Sequence, residues 1–173
     1  MDMESGNTIY WAPFQNGSWT MHIAATEKGL CYVNSPFGPF SMMADWLQKH
    51  YPGCTLVRDD DRMQRYSDEL TQYLQGASKH FELPLDLHGT PFQRSVWTAL
   101  LDIPHGATCS YSDIAESIGK GNAVRAVGAA IGANPALMVV PCHRVIGKNG
   151  ALTGYRGGME VKAELLRLEG IQL

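Results

Sequence analysis

The chain has 173 residues, enough for one solid core or two small domains. Hydrophobic residues make up 45% and charged residues 18%, the balance of an ordinary soluble globular protein. No basic-plus-apolar leader opens it and no run approaches a membrane span, so a cytoplasmic location with no membrane partner is expected.

Four cysteines, Cys31, Cys54, Cys109 and Cys142, show no metal-type spacing and are expected to remain thiols. A structural zinc is not expected, although Cys31, Cys54 and His22 offer ligand chemistry if the fold unites them. The formal charge of −3 hides an asymmetry. Residues 1–89 hold 6 Lys/Arg against 11 Asp/Glu, a formal −5, and residues 90–173 hold 8 against 6, a formal +2. An anionic partner such as nucleic acid would prefer the second half.

In the first half, Thr8-Ile9-Tyr10-Trp11, the Asn16-Gly17 turn and the alternating Trp19–Ile23 predict a hairpin. Glu27-Lys28-Gly29 turns the chain into Leu30–Val33, which completes a three-stranded antiparallel meander. Ser41 reads as the N-cap of a helix carrying Met42, Met43, Trp46 and Leu47, ended by Pro52-Gly53. A short strand at Thr55–Val57 precedes a helix whose apolar face is Met63, Tyr66, Leu70, Tyr73 and Leu74. Phe81–Leu87 alternates with period two, but Pro84 confines it to an edge or a linker. His22, His50 and His80 read as structural or solvated, and residues 1–88 as an α/β scaffold domain.

Residues 89–173 read as a second, mainly helical domain. Thr90-Pro91-Phe92-Gln93 combines a capping threonine, proline at the first helical position and glutamine to close a capping box. That helix is expected to bury Phe92, Val96, Trp97, Leu100 and Leu101. Ser110–Asp113 opens a short helix closed by Gly119, and Asn122 reads as the cap of a helix over Ala123–Ala133. Two short helices joined by a Gly-containing turn predict a helix-turn-helix. Val124, Val127 and Ile131 share one face of the second helix, and Arg125, Ala126, Ala129, Gly132 and Ala133 the other. A major-groove reader displays polar side chains; this face is smooth apart from one cation, suiting close approach to the minor groove, about 6 Å wide. A tightly packed internal Ala/Gly interface is the alternative, opposed by Arg125, since arginine is rarely buried unpaired. Arg125 suits insertion into the gap left by a base taken out of the stack.

The apolar run Ala136–Val140 is expected to be a strand stopped at Pro141, presenting Cys142 at its end. A cysteine reacts as thiolate, favoured by an adjacent base or cation, and His143 and Arg144 follow at once. A buried cysteine beside a surface histidine is the plainer alternative. Gly147-Lys148-Asn149-Gly150 predicts a turn into a small hairpin with Ala151-Leu152, a candidate wing. Thr153–Gly158 is a glycine-rich loop, and the last helix carries Val161, Leu165, Leu166 and Leu168, ended near Gly170.

Arg125-Ala126-Val127-Gly128, Asn134-Pro135, Pro141-Cys142-His143-Arg144-Val145-Ile146 and Gly154-Tyr155-Arg156-Gly157-Gly158 together resemble the O6-alkylguanine-DNA alkyltransferases, the methylated-DNA–protein-cysteine methyltransferases of direct DNA repair. The resemblance covers roughly residues 88–171. It implies a ribonuclease-H-like roll ahead of a winged helix-turn-helix-like domain, an α+β chain in all. It implies irreversible, single-turnover transfer of an alkyl group from O6 of a flipped guanine in duplex DNA, with O4 of thymine as a further candidate, to Cys142. By the same resemblance His143 is the base through a water, Glu169 orients it, Asn134 shapes the turn, and the Tyr111 hydroxyl meets guanine N3. Backbone groups of Cys142 and Val145 read the exocyclic amine, Arg156 N–H meets O6, and Tyr155 lies in the same substrate-binding loop. Arg125 intercalates, with Ala123, Ala126 and Gly128 near the minor groove. The Arg156 side chain stands where a small residue is common, and is expected to narrow the pocket mouth or meet phosphate. No cofactor, no metal and a monomer are expected. A sensor that flips bases without reacting, a Cys-His hydrolase and a transcription factor are the rival readings.

Overall fold

A computed structural model describes residues 8–173, and the chain divides between His88 and Gly89 into two units, Met1–His88 and Gly89–Leu173. Residues 1–7 of the expected first domain lie outside the described residues.

In the first unit, strands β1 (Thr8–Asn16) and β2 (Trp19–Ala25) pair antiparallel around the Asn16-Gly17 turn, with Asn16 opposite Trp19. Gly17 takes the left-handed φ of 57° that such a two-residue turn demands. Strand β3 (Leu30–Val33) completes the antiparallel trio. A fourth strand, β4 (Thr55–Arg58), joins parallel to β1, giving the order β3-β2-β1-β4. Between β3 and β4 runs α1 (Phe40–His50), and α2 (Asp60–Leu74) follows β4.

Alternation along β1 assigns the faces. Ile9 packs with Met43 and Leu47 of α1, and the Trp11 ring lies 4.5 Å from Phe40. Tyr10, one residue out of phase, takes the Arg62 guanidinium of α2 at 3.9 Å over its ring. The two helices therefore cover opposite faces of the sheet. Ser41 does not cap α1; Pro39 holds the N-cap position with φ −70°, starting the helix two residues earlier. The period-two segment before the second unit is extended and makes one bridge, Leu85 to Leu30. Gly29 permits it, since a Cβ there would stand 2.5 Å from the Pro84 carbonyl oxygen.

In the second unit, α3 (Pro91–Leu101) begins with the full Thr90–Gln93 capping box. It buries Val96, Trp97 and Leu100; Leu101 is exposed, because the helix ends there and turns its last side chain out. A two-residue strand, β5 (Cys109–Ser110), leads into α4 (Tyr111–Ser117), capped by Ser110 and Asp113. Helix α5 (Val124–Gly132) packs on both. The Trp97 indole donates to the Ala130 carbonyl at 2.8 Å and fixes α3 against α5. Asn122 does not cap α5; Ala123 holds that position without a side-chain bond.

Two other expectations fail in this unit. Ala136–Val140 is no strand but a buried turn, with Met138 at φ 76° and Val140 N–H donating to Ala136 O. An unbroken apolar run is buried on every side whichever backbone it adopts, so periodicity carried no information there. The Gly147–Gly150 turn forms, but no strand follows it. Instead β6 (Val145–Ile146) pairs parallel with β5, and the candidate wing is a loop leading to α6 (Met159–Leu168).

Candidate active site around Cys142

Cys142-His143-Arg144 forms a single 3-10 turn directly after the buried turn, and all three side chains are buried. Cys142 keeps 4% exposure, so it is enclosed rather than presented at a strand end. Asn134, itself fully buried, organises the approach: Nδ2 donates to Val140 O at 2.8 Å and to the Cys142 sulfur at 3.2 Å, and Oδ1 accepts from Ala136 N–H.

His143 and Glu169 meet at 2.6 Å, Nε2 to Oε2, with both side chains at zero exposure. Arg144 grips the same carboxylate twice, Nε to Oε1 at 2.8 Å and Nη2 to Oε2 at 3.0 Å, and donates Nη1 to Ile103 O. Gly106 N–H gives Oε1 a further bond at 3.1 Å. Glu169 is thus a buried anion held by a cation and by neutral donors, the condition under which burial of charge is tolerated.

Arg144 was expected as the cation beside the thiol, and the structure turns it to Glu169 instead. The charges that act on the sulfur are Arg156 and Lys162. Burial pushes the Cys142 thiol up, opposed by the Asn134 bond and by those two cations. Burial likewise holds His143 below its usual value, opposed by the bond and charge of Glu169. Both groups are therefore neutral at rest.

Of the other expected residues, Tyr111 is half-buried and its hydroxyl pairs with Thr153 Oγ1 at 2.6 Å. Arg156 donates Nη2 to the Asn134 carbonyl at 2.7 Å, so its guanidinium braces the loop onto the turn. Tyr155 is half-buried in that loop, and Val145 is fully buried. On α5, Arg125, Ala126, Ala129, Gly132 and Ala133 are exposed, so the smooth face is a surface and not an internal packing interface. Val124, assigned to the inward face, is 36% exposed, because it opens the helix before Val127 and Ile131 reach the core. Ala123 is half-buried, and Gly128 faces the Tyr111 ring.

Sequence reading passed over Lys162, Thr153 and the Arg144–Glu169 pair. Lys162 has no exposure, yet its ammonium reaches Val145 O at 2.6 Å and Thr153 O at 3.1 Å. It was findable: Lys162, Leu165, Leu166 and Glu169 fall at i, i+3, i+4 and i+7, the spacing of a buried stripe. No group of three or more His, Cys, Asp or Glu among the described residues is placed to hold a metal ion. No helix among them is long and apolar enough to cross a membrane.

Fold and site together define a class: a helix-turn-helix unit with a smooth outer helix and an enclosed cysteine–histidine–glutamate cluster, following a separate α/β unit in the chain. Residues 91–171 match the family model described as 6-O-methylguanine DNA methyltransferase, DNA binding domain, and residues 9–87 match its ribonuclease-like domain. The chain belongs to the 6-O-methylguanine DNA methyltransferase family. It is 56% identical over 162 residues to the inducible methylated-DNA–protein-cysteine methyltransferase of Bacillus subtilis (strain 168), covering 94% of this chain and 90% of that one. It is 41% identical to the methylated-DNA–protein-cysteine methyltransferase of Methanosarcina acetivorans, covering 94% and 99%. Among solved structures, Mycobacterium tuberculosis OGT in complex with DNA is similar at a TM-score of 0.80 and 38% identity, with 92% of each chain covered.

Proposed function

We propose that this chain repairs DNA by taking an alkyl group from O6 of guanine onto the sulfur of Cys142, once per molecule. The observation that carries the residue assignment is the buried cluster at Cys142. A cysteine bonded by Asn134 adjoins a histidine whose Nε2 is engaged by a carboxylate, itself locked by Arg144. The carboxylate only accepts, so Nε2 carries a hydrogen and Nδ1 is the ring atom that takes up a proton. A thiol has no use for such an orienting group unless its proton is to be moved.

The thiol proton passes through a water to His143 Nδ1, and the thiolate attacks the alkyl carbon. The S–C bond forms as the C–O6 bond breaks, and the electron pair departs on O6. Guanine takes a proton and leaves as its ordinary N–H tautomer, with Tyr111 donating at N3 and the Arg156 N–H at O6. The product is a thioether, and no second cysteine joins the cluster to resolve it, which makes the step final. Asn134, Arg156 and Lys162 offset the sulfur's charge.

DNA is engaged through the minor groove by the exposed face of α5, with Arg125 filling the gap in the stack. That face is exposed and nearly featureless, which supports close approach to a narrow groove. Residues 1–88 serve as scaffold, and the chain acts as a monomer. Because Cys142 is only 4% exposed, entry of the base requires the residues around it to give way.

The test is incubation with duplex DNA carrying O6-methylguanine, followed by intact mass and peptide mapping. A gain of one methyl on Cys142, absent in Cys142→Ser, is expected. Unchanged mass defeats the transferase reading in favour of a non-reacting sensor, and repeated turnover defeats the single-use one.

A further inference from the structure

One buried charge has only a supporting part in the proposed transfer. Lys162 lies on α6 with no exposure, among Ala163, Leu165 and Leu166, which are buried too. Lysine is almost never fully buried without a partner, and burial holds this ammonium below its usual value. Its partners are two main-chain carbonyls, Val145 O and Thr153 O, on the two sides of the loop that follows the reactive turn. Val145 directly follows Cys142-His143-Arg144, and the Thr153 side chain meets the Tyr111 hydroxyl.

We propose that Lys162 is a positioning residue of the alkyl-transfer site: its ammonium ties Val145 O and Thr153 O together, aiming the Val145 carbonyl at the guanine amine and keeping a fixed positive charge near the sulfur. The inference rests on Cys142 being the acceptor and on Val145 reading the base. A carbonyl oxygen has two lone pairs, so Val145 O bonded to Lys162 still has one for the exocyclic amine. Charge-assisted bonds to Lys162 fix the direction of that second lone pair more firmly than a neutral donor would.

Asn134, Arg156 and Lys162 act on the Cys142 thiol, and Glu169, Arg144 and Lys162 act on His143. Lys162 is the one group common to both sets. Removing its charge raises both the thiol and the imidazole, and the rise of the imidazole moves the acid limb of the rate profile to higher pH.

The experiment uses the full chain, Lys162→Met and Lys162→Gln. Each is reacted with duplexes carrying O6-methylguanine or O6-methylhypoxanthine, which lacks the exocyclic amine, across a range of pH. Methyl gain on Cys142 is read by mass, and folding by thermal melting. Lys162→Met is expected to react about tenfold more slowly with O6-methylguanine, to lose less with the amine-free base, and to shift its pH midpoint upward by about one unit. Lys162→Gln restores a donor without charge; it is expected to recover preference for the amine while keeping the shifted midpoint. Equal losses on both bases with an unmoved midpoint overturn the proposal, as does failure of both variants to fold, which assigns Lys162 to core stability alone. A wild-type chain that gains no methyl on Cys142 overturns the acceptor reading and this inference with it. A reactive wild type beside unchanged variants overturns this inference only.

Discussion

Asn134 bonds the Cys142 sulfur and the Val140 carbonyl through a single side-chain nitrogen, at 3.2 and 2.8 Å. The same amide oxygen accepts from Ala136 N–H. One residue therefore stitches a turn whose backbone, at Met138 with φ 76°, is in a region costly for a side chain with a Cβ. Asn134→Ala strands a buried carbonyl and a buried N–H, each costing roughly 1–3 kcal/mol. It also removes the donor that opposes the upward push on the thiol. Thermal melting is expected to fall by several degrees, and methyl transfer to slow at neutral pH. An unchanged melting temperature would contradict the stitching role.

Glu169→Gln strands Arg144, whose side chain is 8% exposed against a carboxylate at zero. Breaking a buried pair from one side costs about 3–5 kcal/mol. The expected outcome is a lower urea midpoint and loss of transfer beyond what the remaining folded fraction explains. Replacing Arg144 and Glu169 together by apolar residues removes the stranded charge but leaves Ile103 O and Gly106 N–H unpaired, so part of the stability should return while the cysteine stays inert, which separates the two effects.

Acid should weaken the fold. Burial holds His143 and His22 below the usual 6.5, so both rings are neutral in the folded chain where unfolded imidazoles bind protons. The unfolded state then carries more protons, and stability rises with pH through that window. It is fully present above 6.5, declines as pH drops toward the folded values, and levels off beneath them. Melting temperatures between about pH 5 and 8 check the sign, and a rise on acidification would refute it. Transfer is expected to fail over the same range, because a protonated His143 accepts nothing.

Arg125→Ala leaves the enclosed cluster untouched, since Arg125 is exposed on α5 and makes no hydrogen bond or ion pair among the described residues. Capture of the lesion from duplex DNA should weaken, while free O6-methylguanine reacts at the wild-type rate. Parallel loss on both substrates would remove the intercalating role.

Legibility in the sequence followed the strength of local chemistry. The Asn16-Gly17 hairpin and the Thr90 and Ser110 caps were readable because each is specified within four residues. The Pro-Cys-His-Arg-Val block marks the proposed reactive stretch, and its resemblance pairs His143 with Glu169, 26 residues away, as the structure does. Composition misled where it carried no period: Ala136–Val140 looks like a strand and folds as a turn, because Asn134 and three-dimensional enclosure decide it. Asn122 and Ser41 have the right chemistry for caps and lose to neighbours that set the backbone first. Arg144 beside Cys142 in sequence suggested a direct charge on sulfur, whereas side-chain direction sends it to Glu169. Lys162 stayed hidden because lysine on a helix is ordinarily read as solvated.

Lys162 on helix α6 and Glu169 at its C-cap stand two turns apart, about 10.5 Å along one rail. Both groups proposed to arm the sulfur thus arrive on a segment synthesised after the sulfur itself. While the nascent chain is still short of residue 169, the helix-turn-helix is already encoded in full, yet His143 has no orienting carboxylate. On the proposed reading of Cys142 as a single-use nucleophile, its first reaction waits until α6 brings Glu169 to His143.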